Sequence, residues 1–282
     1  MILKLRDDFA RAWEGTDAFA QVGALRGTVY RDMKSRRTLQ FTFENRNYFA
    51  KIHYGVGWRE ILKNLVVLKV PVLGADNEWC AIRRLNELGV ETMTSVGFGS
   101  RGLNPARRES FILTEAIEDA VSLEDYCADW PQQPPLFVTK LRLLRELASI
   151  SSTLHSNGIC HRDYYLCHFL LHDQDAFREG RVEKPKLSLI DLHRAMIRQR
   201  LPMRWIVKDI AGLYFSALHI GLSRRDFLRF VKFYSGKTLR RALSDDRLFW
   251  TQVQERAHSL DRKINHSSMP SAVQPTSQKQ EG

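Results

Sequence analysis

Lys51, Glu78, Asp163 and Asp191 occur in an order and in local contexts that suit phosphoryl transfer. That reaction asks little covalent chemistry of a protein. It needs a cation on the phosphates, a metal ion, and a carboxylate that orients the attacking hydroxyl. Lys51, within the mainly apolar stretch Tyr48–Ile52, can supply the cation. Glu78 opens the next amphipathic segment and can pair with it, although an acidic residue in a first helical turn is also ordinary helix-dipole chemistry. Asp163 ends the triplet His161-Arg162-Asp163 and can accept or orient a hydroxyl proton. Asp191 closes the apolar run that begins at Leu187, a placement suited to a magnesium ligand. Taken singly, each is commonplace: a strand lysine is usually solvated, and a three-residue match arises by chance. The ordered set is what points to a phosphotransferase.

Around these residues the pattern is kinase-like but altered. Protein kinases place an asparagine five residues after the catalytic aspartate to hold a metal ion; here that position is His168. A neutral imidazole binds divalent metals, yet magnesium prefers oxygen. His168 is therefore read as a weaker or indirect metal ligand, as a phosphate contact when protonated, or as a buried, hydrogen-bonded histidine. Leu192-His193 replaces the Phe-Gly that follows the metal-binding aspartate of protein kinases. Gly23 and Gly27 do not make a G-x-G-x-x-G loop. The segment Asp32–Arg37 is predicted as a basic turn in its place, with Lys34, Arg36 and Arg37 contacting phosphate or an anionic substrate by charge. An exposed basic turn can also be merely solvated. Asp209 is expected to bond the catalytic-loop backbone.

The elements that must position these groups are legible in outline. Leu3–Trp13 reads as a helix. Thr28–Arg31 and Thr38–Phe43 read as a hairpin about the basic turn, followed by a strand from Tyr48 to Tyr54. A helix is predicted over 58–69. Asp76 or Asn77 is expected to cap a second, ended by Gly89. Val90–Phe98 and Ser110–Thr114 complete the strands. From Leu136 to Asn157 one long helix carries Leu143, Leu147, Ile150 and Leu154 at helical spacing. Two short strands, Phe169–Leu171 and Leu187–Asp191, and helices near 205–218, 224–234 and 247–263 follow. The expected fold class is α+β: a bilobal protein-kinase-like fold with a β-rich N-lobe over 1–117, a mostly helical C-lobe over 118–265, and a disordered tail over 266–282.

Composition narrows the function classes. The 282 residues carry 43 Lys and Arg against 32 Asp and Glu, a net charge of +11, which suits an anionic partner. Four cysteines without a C-x-x-C motif are too few for a disulfide scaffold, and the Cys160-His161 and Cys167-His168 pairs match no usual zinc spacing. No stretch reads as a signal peptide or membrane span, so a cytoplasmic location is expected. Nucleic-acid binding has charge in its favour but no recognisable module, and none is expected. Arg224, Arg225, Arg229, Lys232, Lys237, Arg240 and Arg241 are interleaved with Phe227, Leu228, Phe230 and Phe233. They form either a basic face for an anionic bilayer or a core face backed by a solvated one. Trp58 and Lys63 are candidate sugar or lipid contacts.

The stretches Trp58–Asn64, Pro71–Ala75, Asn77–Trp79, His161–Phe169 and Ile190–Arg194 resemble the lipopolysaccharide core heptose(I) kinase family, of the WaaP/RfaP type. The resemblance covers about residues 1 to 265. It implies transfer of phosphate from ATP, with Mg2+, to a hydroxyl of the first heptose of the inner core. The acceptor would be a nascent glycolipid, met by a peripheral protein on the cytoplasmic face of the inner membrane. By matched position Asp163 would be the catalytic aspartate, Asp191 the metal ligand and Lys51 the phosphate lysine, and His168 belongs to that family's own pattern. An association with acyl carrier protein, itself acidic, is also implied. Alternatives are a protein or other small-molecule kinase of the same fold, and a non-catalytic kinase-like scaffold; the presence of Lys51, Asp163 and Asp191 argues against the last.

Overall fold

The computed structural model describes residues 1–55, 57–58, 74–104 and 106–267. Residues 59–69 of the helix predicted over 58–69, most of the loop after it, Lys63 and residues 268–282 of the predicted tail lie outside the described residues, whereas Trp58 is described and exposed.

Alternating apolar residues build a six-stranded antiparallel sheet in the order β1-β5-β6-β4-β3-β2. The strands are β1 (Ile2–Leu5), β2 (Thr28–Met33), β3 (Arg36–Phe43), β4 (Arg46–His53), β5 (Ser95–Arg101) and β6 (Glu109–Glu115). Leu39 and Phe41, Tyr48, Ala50 and Ile52, and Phe111 and Leu113 all project from one face. There they pack with Phe9 and Val22 from the N-terminal helices Asp7–Ala12 and Ala18–Ala24 and with Trp13, which caps the first of them. Ile112 and Phe98 project from the other face, into the large core shared with the helix Asp76–Glu87 and the helical half. Period two therefore settles where Lys51 points. Its neighbours Ala50 and Ile52 are committed to the first core, so Lys51 faces the second side, toward the helical half.

Three local readings are corrected. Leu3–Trp13 is not one helix: Ile2–Leu5 is an edge strand on β5, and the helix begins at Asp7. Pairing with a distant strand outweighs the helical spacing there. The basic turn is tighter than expected. Asp32 pairs with Arg37 and Met33 with Arg36, which leaves Lys34 and Ser35 as the connection and puts both arginines on β3. Asp76 lies inside its helix; Ala75 is the N-cap, its N–H donating to Ser110 Oγ, and Asp76 accepts from Arg108 at 2.8 Å. Gly89, at φ 69°, ends that helix as expected.

The helical half is organised around the helix Phe137–Ser156, whose Leu143, Leu147, Ile150 and Leu154 are buried. Two small antiparallel sheets lie beside it: β7 (Ala120–Ser122), β9 (Phe169–His172) and β10 (Leu187–Leu189) form one, and β8 (Ile159–Cys160) and β11 (Met196–Ile197) the other. Helices Met203–Ser216, Arg224–Ser235, Leu239–Asp245 and Arg247–Ser267 complete it. Phe230 is buried, and Phe227 and Phe233 pack against the same core. Those aromatics thus serve the interior, leaving the basic residues as the outward part of that segment.

Gly158 turns the chain from the long helix into β8 at φ 75°, and a Cβ there would sit 1.8 Å from the Arg198 carbonyl oxygen. Gly158→Ala is expected to cost about 3 kcal/mol, from left-handed strain plus a backbone clash. Chemical denaturation checks this; an unchanged midpoint would mean that the 158–198 contact yields freely.

Candidate active site

The two halves bring residues 140 apart in sequence into contact. Lys51 Nζ lies 2.6 Å from Glu78 Oε1 and 3.2 Å from Asp191 Oδ1. Glu78 reaches this position because it heads the inward stripe Glu78, Ala81, Ile82, Leu85 of its helix, at the i, i+3, i+4, i+7 spacing. It is fully buried, and its Oε2 has no partner among the described residues. A carboxylate so placed holds the ammonium at a fixed point on the sheet's inner face.

Asp191 stands just beyond β10, in a left-handed backbone conformation with φ 59°. The strand leading to it is tied down by Thr92, whose hydroxyl donates to Leu189 O at 2.6 Å. Ile190 N also donates to His168 O, joining the two loops. Burial by itself pushes the Asp191 carboxyl up. The hydrogen bond from His193 Nδ1, at 2.8 Å, and the charge of Lys51 outweigh it and hold the group well below the usual carboxylate range. Asp191 is thus a firmly ionised oxygen donor.

Asp209 builds the turn that carries Asp163. It is 1% exposed, and its two oxygens accept from the backbone N–H groups of His161 at 2.6 Å and Arg162 at 2.8 Å. Arg162 sits at φ 73°, a left-handed conformation costly for a residue with a Cβ, and these two bonds hold it there. Gly212, one turn further along the same helix, allows the close approach: a Cβ would meet Tyr164 O at 2.9 Å. His161 is buried and its Nε2–H donates to Ile190 O at 2.9 Å; burial pushes its pKa down, so the ring is neutral.

Asp163 projects from this turn and accepts two contacts from Arg194 Nη1, at 2.9 and 3.1 Å. His168 Nδ1 lies 2.7 Å from Asp163 O. A carbonyl only accepts, so Nδ1 carries the proton, and in the neutral ring the Nε2 lone pair faces Asp191 Oδ2 at 3.8 Å. Among the described residues no third His, Cys, Asp or Glu joins this pair; one ionised carboxylate beside an imidazole nitrogen would suit only a divalent ion that takes most of its ligands from elsewhere.

The basic residues of the first hairpin divide between the two sheet faces. Arg36 pairs with His53 and is on the Lys51 side, where it feels the charges of Glu78 and Asp191. Arg37 pairs with Ile52 and lies on the opposite face. Lys34 is in the exposed connection. His53, 4% exposed, has its pKa pushed down to about 3 by burial and by Arg36, His193 and Lys51. Sequence reasoning missed His193 and Arg194. The signal available was the pair of basic residues directly after Leu192; what it could not give was their partners.

The lipopolysaccharide kinase (Kdo/WaaP) family profile matches residues 20–234. Over 268 residues the chain is 46% identical to the lipopolysaccharide core heptose(I) kinase WaaP of Escherichia coli (strain K12), spanning 95% of this chain and 100% of that protein. It is 47% identical over 270 residues to the protein of the same description from Pseudomonas aeruginosa, again spanning 95% and 100%. A solved structure described as WaaP in complex with acyl carrier protein superposes with a TM-score of 0.79 at 43% identity, covering 92% of this chain and 99% of that one.

Proposed function

The chain belongs to the lipopolysaccharide kinase (Kdo/WaaP) family, and from that premise we propose that it is a lipopolysaccharide core heptose(I) kinase. It transfers the γ-phosphoryl group of ATP to a hydroxyl of the first heptose of the core. The observation that carries this reading is the Glu78–Lys51–Asp191 chain of contacts beside Asp163.

In this reading Lys51, fixed by Glu78, meets the α and β phosphates. Asp191, with His168 beside it, would hold Mg2+, which when bound would supply charge neutralisation on the phosphates. Asp163 orients the acceptor hydroxyl and takes its proton as the new O–P bond forms. Arg36 contacts the nucleotide from the Lys51 face, and Lys34 and Arg37 add positive charge around the hairpin. Arg36→Ala is expected to raise the ATP KM about tenfold and Arg37→Ala less than about twofold, because the two side chains leave opposite faces of β3. Steady-state kinetics at varied ATP checks the pair; equal effects would contradict the assignment by face.

The two-lobe division at residue 117 and an inner-membrane, cytoplasmic-face location are part of the same proposal. Among the described residues no helix is long and apolar enough to cross a membrane. A peripheral attachment is supported by the outward basic residues of Arg224–Ser235 and the segment after it. Association with acyl carrier protein is supported by the solved relative's partner and by the net charge of +11. A cavity of about 320 Å³ in the helical half, lined by Leu143, Leu147, Leu213 and Phe230 with Lys140 and Arg224 also on its wall, has the chemistry to seat an acyl chain.

The test is incubation with γ-labelled ATP, Mg2+ and a heptose-containing core glycolipid. Label on the sugar is expected. Label on protein alone would favour a protein kinase of this fold, and no label a scaffold.

A further inference from the structure

Among the described residues, positive charge exceeds negative charge around Asp163. Arg194 is bonded to both Asp163 oxygens. Arg162 is 6% exposed, and its Nε has no acceptor among the described residues. Lys208, half-buried on the helix Met203–Ser216, forms no hydrogen bond or ion pair with a described residue. The carboxylates these cations feel are Asp163 and Asp209, and both Asp209 oxygens are occupied by backbone N–H groups. Burial first, and then the mutual repulsion with Arg194, pushes both Arg162 and Lys208 below their ordinary values. The Trp205 indole backs the group: its ring centroid is 5.0 Å from the Arg162 guanidinium carbon and 6.0 Å from Lys208 Nζ, with exposed Arg204 at 5.8 Å. Folding brings these like charges together at a cost that a bound anion would offset.

We propose that Arg162, Arg194 and Lys208, backed by Trp205, form an anion-binding subsite that holds a carboxylate or phosphate group of the acceptor beside Asp163. The inference rests on the reading of the chain as a glycolipid kinase and adds which side chains hold the anionic group of the acceptor. In the proposed function Lys51 serves the nucleotide phosphates from the sheet, whereas Arg194 bonds Asp163 and both Arg162 and Lys208 feel its charge. The subsite also couples binding to reaction. Arg194 holds Asp163 in the free protein; an acceptor anion that draws Arg194 to itself frees the Asp163 oxygens for the hydroxyl. Arg162, Arg194 and Lys208 are thereby positioning residues, acting on where the acceptor lies and on what Asp163 bonds.

The test measures equilibrium binding of a detergent-dispersed, heptose-containing core glycolipid without ATP. Three forms are used: untreated, methyl-esterified at carboxylates, and dephosphorylated. The unmodified protein is expected to lose about tenfold in affinity for the form lacking the recognised anion, and Lys208→Gln to lose about tenfold for the untreated form while becoming indifferent to treatment. Lys208→Arg should restore most of the affinity. In steady state, Lys208→Gln should raise the acceptor KM about tenfold and the ATP KM less than about twofold. Equal affinity of the unmodified protein for all three forms, or no binding to any, overturns the proposal whatever the variants do. A rise in ATP KM alone assigns the cluster to the nucleotide and overturns it too. Anion-dependent binding without phosphate transfer would sustain the subsite and sink the kinase reading.

Discussion

Asp163→Asn is expected to lower kcat for phosphate transfer about a thousandfold while shifting the ATP KM less than about twofold. The amide keeps the size of the carboxylate and one acceptor but cannot take the hydroxyl's proton. Folding should survive. Asp163 contributes to stability through one ion pair with Arg194, whose side chain is 37% exposed, and such a pair is worth about 1 kcal/mol or less. The measurement is paired: kinetics with γ-labelled ATP, and an unfolding midpoint on the same preparation. A variant that keeps more than about a tenth of the activity would remove Asp163 from the proton-accepting role.

The second large effect has the opposite signature. Asp209→Ala is expected to destabilise the fold by about 3 kcal/mol, because it strips the acceptor from two buried N–H groups at once. It also releases Arg162 from its left-handed conformation, so Asp163 is misplaced and kcat falls about a hundredfold. Asp209→Asn should fall between, since its single oxygen serves one N–H and its amide nitrogen confronts the other. The two predictions separate chemistry from scaffolding: Asp163 loses rate without stability, Asp209 loses both. A fully active, fully stable Asp209→Ala would contradict the account of how the turn is held.

What the sequence made legible follows from local rules. Period two on Tyr48–His53 puts Lys51 opposite the core face. The stripe from Glu78 to Leu85 explains why an acidic residue is carried inward. The long helix, its glycine stop and the strand before Asp191 are equally local, and the expected order of elements matches the two-part architecture. What stayed hidden depends on distant pairing. Ile2–Leu5 became a strand because β5 offers an edge. Arg36 and Arg37 left the predicted turn because their partners on β2 and β4 extended the ladder. Arg194 reaches Asp163 across 31 positions, and nothing in its own neighbourhood announces that contact. The helix Ala18–Ala24 escaped notice because it is short and is stabilised by packing of Ala18 and Val22 beneath the sheet.

Lys51, fixed by Glu78, and Asp191 are expected to close on one triphosphate next to Asp163. A crystal structure with a non-hydrolysable ATP analogue and Mg2+ tests it most directly. Lys51 Nζ is expected on the α and β phosphates, with Asp191 in contact with the metal ion and the γ-phosphate facing the Asp163 turn. A nucleotide bound elsewhere, with Lys51 and Asp191 still joined only to each other and to their present partners, would contradict it.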